Sequence, residues 1–403
     1  MTETFWPYTV VMDPQRLAYL ESAMKRRLAV LPTRIRPVSL EVGTIPRAFL
    51  LTGPRGTGKT TFLLHHARTQ NMLYLSADSP MVSGASLYET VRAIFQAGYA
   101  GIIIDEVHFA RDWSQHLKAL YDDYPAHSFW ISDSSSLVLR SGVGDLSRRF
   151  VPIKLPLLSF REFLFLERGL QLPVWDPFAG KPGLPVEPGP GILESFRVWR
   201  TSGTRPFYTE GNFGDRLLAI LDKTLYADIP FFLPNVTDGN LRLMKAITAT
   251  LSEVAIPRLQ VRSLCADWNI GAEKLYQILE AMDSVGLLRI IRAEHDTKAM
   301  TAGKKLFFAD PAMYAVLGGN TGSFREAMVA SLCADTGWLV EACNDEKEGD
   351  FVLTRTSAGK KKRLVLEVGG KTKKPKHADF VIRDDLDYPA GNAIPLWLLG
   401  MSH

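Results

Sequence analysis

RAFLLTGPRGTGKTTFLLHH, residues 47–66, decides how the rest of the chain is read. Within it, residues 53–60 fit G-x-x-x-x-G-K-T, a pattern whose backbone N–H groups cradle phosphate. The flanks supply the context that the pattern needs. Residues 48–51 are an apolar run of strand length, and residues 61–67 carry helix formers with Phe62, Leu63 and Leu64 directed inward. Gly53, Gly56 and Gly58 permit the dihedrals that turn N–H groups toward one point, and a helix starting near Lys59 adds its positive dipole end. Gly53, Pro54, Arg55, Gly56, Thr57, Gly58, Lys59, Thr60 and Thr61 are therefore the candidate nucleotide-binding set. Lys59 is expected to reach the β- and γ-phosphates and the Thr60 hydroxyl to ligate Mg2+. A glycine loop arising by chance lacks such flanks. The stretch reads as a nucleoside triphosphate site, with ATP and Mg2+ as the expected ligands.

Composition sets the outer bounds. A length of 403 residues suggests two or three domains, and 46% apolar with 22% charged residues is the balance of a soluble globular protein. The net charge of +4 excludes a polyanion-binding coat, so any nucleic-acid contact falls to local patches. Cys265, Cys333 and Cys343 are odd in number and lack metal-ligand spacing, as expected of reduced thiols. No apolar run approaches the roughly 18 residues of a membrane span. The N-terminus shows no signal-peptide pattern, so the expectation is a cytoplasmic protein with no membrane partner.

Residues 1–46 read as a lead-in, with Asp13-Pro14 opening a packing helix to about residue 31 that turns Leu17, Leu20, Met24 and Leu28 to one face. Beyond the glycine loop, a strand at 72–76 and a helix at 86–97 precede Ile102-Ile103-Ile104-Asp105-Glu106. A fully apolar strand suits a parallel sheet, and carboxylates at its C-terminal end sit where such sheets bind ligands. Asp105 is the expected support of the Mg2+ shell and Glu106 the general base for the attacking water. Paired carboxylates after a strand are otherwise an ordinary loop start. A helix at 112–121 and a strand at 128–132 follow, and Asp133, Ser134, Ser135 and Ser136 crowd the strand's end, a run that also suits a helix N-cap. Arg148 and Arg149 stand before a strand at 151–155. They read either as arginines completing a neighbouring subunit's site, implying a homo-oligomer, or as a surface pair.

GPRGTGKTT, the IDE strand with a tryptophan-containing helix and LK behind it, SDSSS, LSRR and LPLLSFREFL occur in this order. That order resembles the bacterial and archaeal AAA+ ATP-binding proteins with a C-terminal domain of unknown function. They are related to signalling-type (STAND) ATPases with a winged helix and a restriction-nuclease-like tail. The resemblance covers most of the chain. It implies an α/β fold: a P-loop AAA+-like parallel sheet, then a winged helix and a nuclease-like α+β C-terminal domain. It also implies ATP hydrolysis, and a polar γ-phosphate sensor at the end of the fourth strand, for which Ser132 or Ser134 is available. Asp133 departs from the glycine usual in relatives, which leaves the sensor open between them.

The expected divisions are a lead-in over 1–46, an ATPase core over 47–168, a Pro/Gly-rich insertion and helical lid over 169–235, a winged helix over 236–318 and a nuclease-like domain over 319–403. Helices at 241–251, 261–267 and 272–284, with a hairpin from 287–293 and 305–309, give the winged-helix layout. Its second helix offers Lys274, Tyr276 and Gln277 to a DNA groove, but Glu273, Glu280 and Asp283 leave it nearly neutral, so a protein-contact module competes. In the tail, Glu326 on a helix, Asp350 and Glu367 on strands, and Lys371 resemble the PD-(D/E)xK nuclease core. There Asp350 and Glu367 would hold Mg2+ and Lys371 would orient water. Gly369 stands where that core has its lysine, which favours an inactive scaffold. Two basic clusters, 360–363 and Lys371, Lys373, Lys374 and Lys376, suit either phosphate contact or solvated hairpin loops. The function read from these features is a Mg-dependent ATPase acting on or sensing DNA or a protein partner. An ATP-gated nuclease and a slow ATP-switch scaffold are its rivals.

Overall fold

The computed structural model describes residues 13–41, 43–80, 82, 84–134, 146–179, 183–233, 236–253, 261–298, 303–345, 347–357, 359–371 and 377–403. Ser135 and Ser136 of the serine run, and Lys373, Lys374 and Lys376 of the second basic cluster, lie outside the described residues. The chain divides into two compact units. One holds the stretch ending at Ile35 with Ser39–Gly53 and Gly58–Leu155; the other holds Arg36–Val38, Pro54–Thr57 and Pro156–His403.

In the first unit, α1 (Pro14–Ala29) opens as its residues dictate: the Asp13 carboxylate accepts the Gln15 N–H at 3.0 Å, and Pro14 takes the first helical position. The helix buries Leu20, Ala23 and Met24, while Leu17 and Leu28 stay part-exposed, a narrower stripe than expected. Strands β1 (Ala48–Thr52), β2 (Met72–Ser76), β3 (Gly101–Asp105), β4 (Ser128–Asp133) and β5 (Val151–Lys154) form one sheet in the order β2-β3-β4-β1-β5. All four pairings are parallel. The helices α2 (Lys59–Ala67), α3 (Leu87–Gln96) and α4 (Trp113–Asp123) lie between strands in the sequence. β1 and β3 are buried at every position, as a strand covered on both faces must be. Parallel pairing sets Thr52 beside Asp133 and Ile104 beside Ile131, so the ends of β1, β3 and β4 share one edge. That edge is where open α/β sheets bind ligands.

The second unit begins its helices with α5 (Phe160–Arg168). Ser159 and Glu162 form a reciprocal capping box there, and Gly169 ends the helix at φ 72°. Residues 170–179 form neither helix nor strand, as their prolines require, but they are packed. Phe178 is buried, its ring 5.8 Å from that of Trp338 and 5.3 Å from that of Phe380, and Asp176 pairs with Arg355 at 3.0 Å. Pro190 opens α6 (Pro190–Ser202), so the insertion gives way to helix slightly earlier than expected. Next come α7 (Phe213–Lys223), a π turn (Thr224–Asp228), α8 (Asp238–Glu253), α9 (Val261–Asp267) and α10 (Ala272–Ser284). An antiparallel hairpin, β6 (Leu288–Ile291) with β7 (Lys305–Phe308), follows.

After α11 (Ala312–Val316) and α12 (Thr321–Asp335) comes a second sheet. Its strands are β8 (Leu339–Ala342), β9 (Phe351–Ser357), β10 (Lys360–Gly369), β11 (Phe380–Arg383) and β12 (Ala393–Pro395), in the order β12-β11-β10-β9-β8. β8, β9 and β10 pair antiparallel, and β10, β11 and β12 pair parallel. The basic residues 360–363 are therefore exposed strand residues of the β9–β10 hairpin, paired in register with 354–357. Lys362 donates to the Phe178 carbonyl at 2.8 Å, and Arg363 grips Glu294 through two bonds at 2.8 and 2.9 Å.

Candidate functional site

The C-terminal end of β3 is built around one buried carboxylate. Asp105 Oδ2 accepts the Thr60 hydroxyl at 2.6 Å and the Tyr74 hydroxyl at 2.9 Å, and its Oδ1 accepts the Ser132 hydroxyl. Residues from α2, β2 and β4 thus meet on Asp105, and the two candidate metal-shell residues are adjacent. Burial, reinforced by the charge of Asp105, pushes the Tyr74 phenol well above the usual tyrosine range, so Tyr74 acts here as a donor. Tyr74 and Ser132 orient the carboxylate in the way that hydrogen-bonded neighbours orient metal-binding carboxylates elsewhere. Hydroxyl and carboxylate oxygens are the donors that suit Mg2+.

Glu106 follows with φ 51°, a left-handed conformation uncommon for a residue with a long side chain. Such outliers concentrate at functional sites, where surrounding structure holds them in place. Here the Ser134 hydroxyl donates to Glu106 Oε1 at 2.7 Å. Ser132 and Ser134 thus divide their work, the first holding Asp105 and the second Glu106. Asp133, between them, is fully buried. Its Oδ2 accepts the His108 N–H at 3.1 Å and lies 2.6 Å from His108 Nδ1, fastening the turn after Glu106 to the end of β4. His108 Nδ1 is also 3.9 Å from Glu106 Oε2. The partner of Asp133, His108, was not visible in the sequence.

The phosphate loop takes the positive dihedrals that its glycines allow, φ 80° at Gly56 and 96° at Gly58, the latter leading directly into α2. Lys59 is buried at that helix's start and donates to the Gly53 carbonyl at 2.8 Å. Thr61 lies part-buried on the same helix. The loop's crown, Pro54–Thr57, belongs to the second unit and is fixed there by residues that sequence reasoning missed. Arg36 donates to the Thr57 carbonyl at 2.9 Å, and the Thr57 hydroxyl closes onto the Pro54 carbonyl at 2.9 Å. A Cβ at Gly56 would come within 2.7 Å of the Phe207 ring. The Arg55 guanidinium is held by Asp228 at 3.0 Å, and the Arg55 carbonyl accepts from Arg205.

Of the two candidate trans arginines, Arg149 is committed within its own unit, with two bonds to Asp122 at 2.9 and 2.7 Å. That hydrogen-bonded guanidinium holds the Asp122 carboxyl below the usual carboxylate range. Arg148 is exposed.

Residues 46–164 match the AAA domain family. This AAA domain takes in the phosphate loop, the Asp105 cluster and Glu106, and marks the chain as carrying an AAA+-like, ATP-binding ATPase domain. Among solved structures, a Walker-type ATPase of Pyrococcus abyssi is similar at a TM-score of 0.40 and 15% identity, over 74% of this chain and 95% of that one. The RuvB Holliday junction branch migration motor of Thermotoga maritima is similar at a TM-score of 0.32 and 15% identity, over 67% and 89%. No curated protein matches the chain. Among the described residues, no helix is long and apolar enough to cross a membrane.

Outside the AAA domain, the tail's candidate residues are only partly brought together. Glu326 on α12 and Asp350, just before β9, share the ammonium of Lys305 at 2.5 and 3.2 Å. Glu367 is fully buried one step beyond the Leu366–Phe351 register pair. Lys371 lies exposed past the end of β10, where its carbonyl accepts from Arg383 at 3.4 Å. Among the described residues, the lysine that meets Glu326 and Asp350 is thus Lys305. β10 ends at Gly369, two residues before Lys371.

Proposed function

We propose that the chain hydrolyses ATP with Mg2+, using Lys59 and Thr60 for phosphate and metal, Asp105 as the metal-shell carboxylate and Glu106 as the general base. The observation that carries this reading is the 2.6 Å bond between Thr60 and Asp105, which pairs the two groups a nucleotide-bound Mg2+ requires. Mg2+, when bound, neutralises charge on the β- and γ-phosphates. Lys59 exchanges its Gly53 carbonyl for phosphate oxygens, and the α2 N-terminus adds its dipole to the same anion. Glu106, held by Ser134, takes the proton of the attacking water, while His108 and Asp133 keep the turn that bears it in place. Ser134, bonded to the base, suits the γ-phosphate sensor better than Ser132, which is bonded to Asp105. The test is Mg-dependent release of phosphate by the purified chain, with Glu106→Gln retaining ATP but not turning it over.

The C-terminal region is read as a winged helix (α8 to β7) and a restriction-nuclease-like sheet, as in signalling-type ATPases. Its output is read as contact with a partner. That partner is read as DNA or a protein, the exposed basic residues 360–363 being the part of the first basic cluster available to it. Exposed Arg148 is the residue left to complete a neighbouring subunit's site in a homo-oligomer.

A further inference from the structure

We propose that Lys305 is the built-in cation of the Glu326–Asp350 cluster, so that the tail takes no divalent metal and the cluster instead locks the β6–β7 hairpin to the C-terminal sheet. A nuclease-like core implies Mg2+ between its carboxylates, and the residues present do not fit one. The Lys305 ammonium lies 2.5 Å from Glu326 Oε2 and 3.2 Å from Asp350 Oδ1, so Asp350, one of the two carboxylates expected to hold Mg2+, already carries a cation. The other Asp350 oxygen accepts the Val368 N–H at 2.8 Å, so that carboxylate is fixed by the ladder on one side and by lysine on the other. Lys305 itself is buried, with its nitrogen 4.7 Å from the centre of the Phe351 ring.

The position of this lysine follows from strand alternation. Lys305 and Phe307 share one face of β7, and the Phe307 ring lies 6.2 Å from that of Phe351, so one strand face sends both an aromatic and an ammonium into the sheet. Other bonds join the same elements. Lys304 donates to the Cys343 and Asn344 carbonyls at 2.5 and 2.7 Å, Ala293 bridges to Ala342, and Glu294 pairs with Arg363 at 2.8 Å. The buried ion pair is therefore the centre of a continuous seam. A lysine removed from such a cluster leaves carboxylates facing one another without their cation, which is both destabilising and a ready site for a divalent ion.

The experiment is a Mn2+ titration of the nucleotide-free full chain, followed by electron paramagnetic resonance, with unfolding midpoints measured in parallel. Wild type is expected to show no Mn2+ binding that depends on Asp350. Lys305→Met is expected to lower the midpoint by several degrees and to gain a Mn2+ site that restores it. Asp350→Asn in that background should abolish the gain. Wild-type Mn2+ binding that Asp350→Asn removes would overturn the proposal, as would a Lys305→Met protein with the wild-type midpoint. If Lys305→Met does not fold, the wild-type titration with and without Asp350→Asn decides alone.

Discussion

Asp105 and Glu106 are neighbours in sequence, but their substitutions should separate cleanly into stability and catalysis. Removing the Asp105 side chain with Ala deprives three hydroxyls of their acceptor. Thr60 is partly exposed and water can replace its bond, whereas Tyr74 is 3% and Ser132 0% exposed. A buried donor left without a partner costs about 1–3 kcal/mol, so those two hydroxyls put the loss at about 2–6 kcal/mol. Set against a typical domain stability of about 5–15 kcal/mol, this is a large fraction. Glu106→Gln keeps the oxygen that accepts from Ser134, so stability should stay within about 0.5 kcal/mol of wild type. Its hydrolysis rate should nonetheless fall by about 10²-fold or more, which is about 2.7 kcal/mol in the barrier. Urea unfolding and a phosphate-release assay on the same preparations measure both quantities. The reasoning is refuted if Asp105→Ala unfolds at the wild-type urea concentration, or if Glu106→Gln hydrolyses ATP at the wild-type rate.

Lys59→Ala should weaken ATP binding more than tenfold, about 1.4 kcal/mol, and a fluorescent ATP analogue that binds unchanged would remove the phosphate loop from the site. Asp133→Gly should slow turnover and leave ATP affinity near wild type, because it frees the turn that carries Glu106 without touching Lys59 or Thr60. Equal losses in both would assign Asp133 to binding. Arg148→Ala should reduce ATPase rate per subunit and should be complemented by a Lys59→Ala protein in a mixture. A wild-type rate that stays flat across a wide dilution series argues against any trans-acting arginine. Burial raises the Glu162 carboxyl, but the Arg36 guanidinium at 2.6 Å, helped by His403 and the Ser159 N–H, outweighs it, and the net shift is downward. That pair's stabilisation is therefore present above the ordinary glutamate range and lost as pH falls through the lower folded value. In Arg36→Met the folded value should rise instead, so stability should now decline as pH increases toward neutrality, which chemical denaturation at several pH values will register.

The local patterns were legible because they depend on near neighbours. Apolar runs at 48–51 and 102–104 had to become buried parallel strands, Asp13-Pro14 had to open a helix, and the glycine loop had to sit between a strand and a helix. Asp105 and Glu106 could be picked out because strand direction alone puts them at the ligand-binding edge. What stayed hidden depended on which distant side chains share a point in space. Tyr74 on Asp105, His108 on Asp133, and Asp228 on Arg55 join residues 31, 25 and 173 positions apart, and no periodicity encodes such meetings. The tail makes the same point most sharply. Spacing along one strand singled out Lys371, but a carboxylate cluster recruits whichever cation the fold delivers, and the hairpin delivers Lys305 from 45 residues before Asp350.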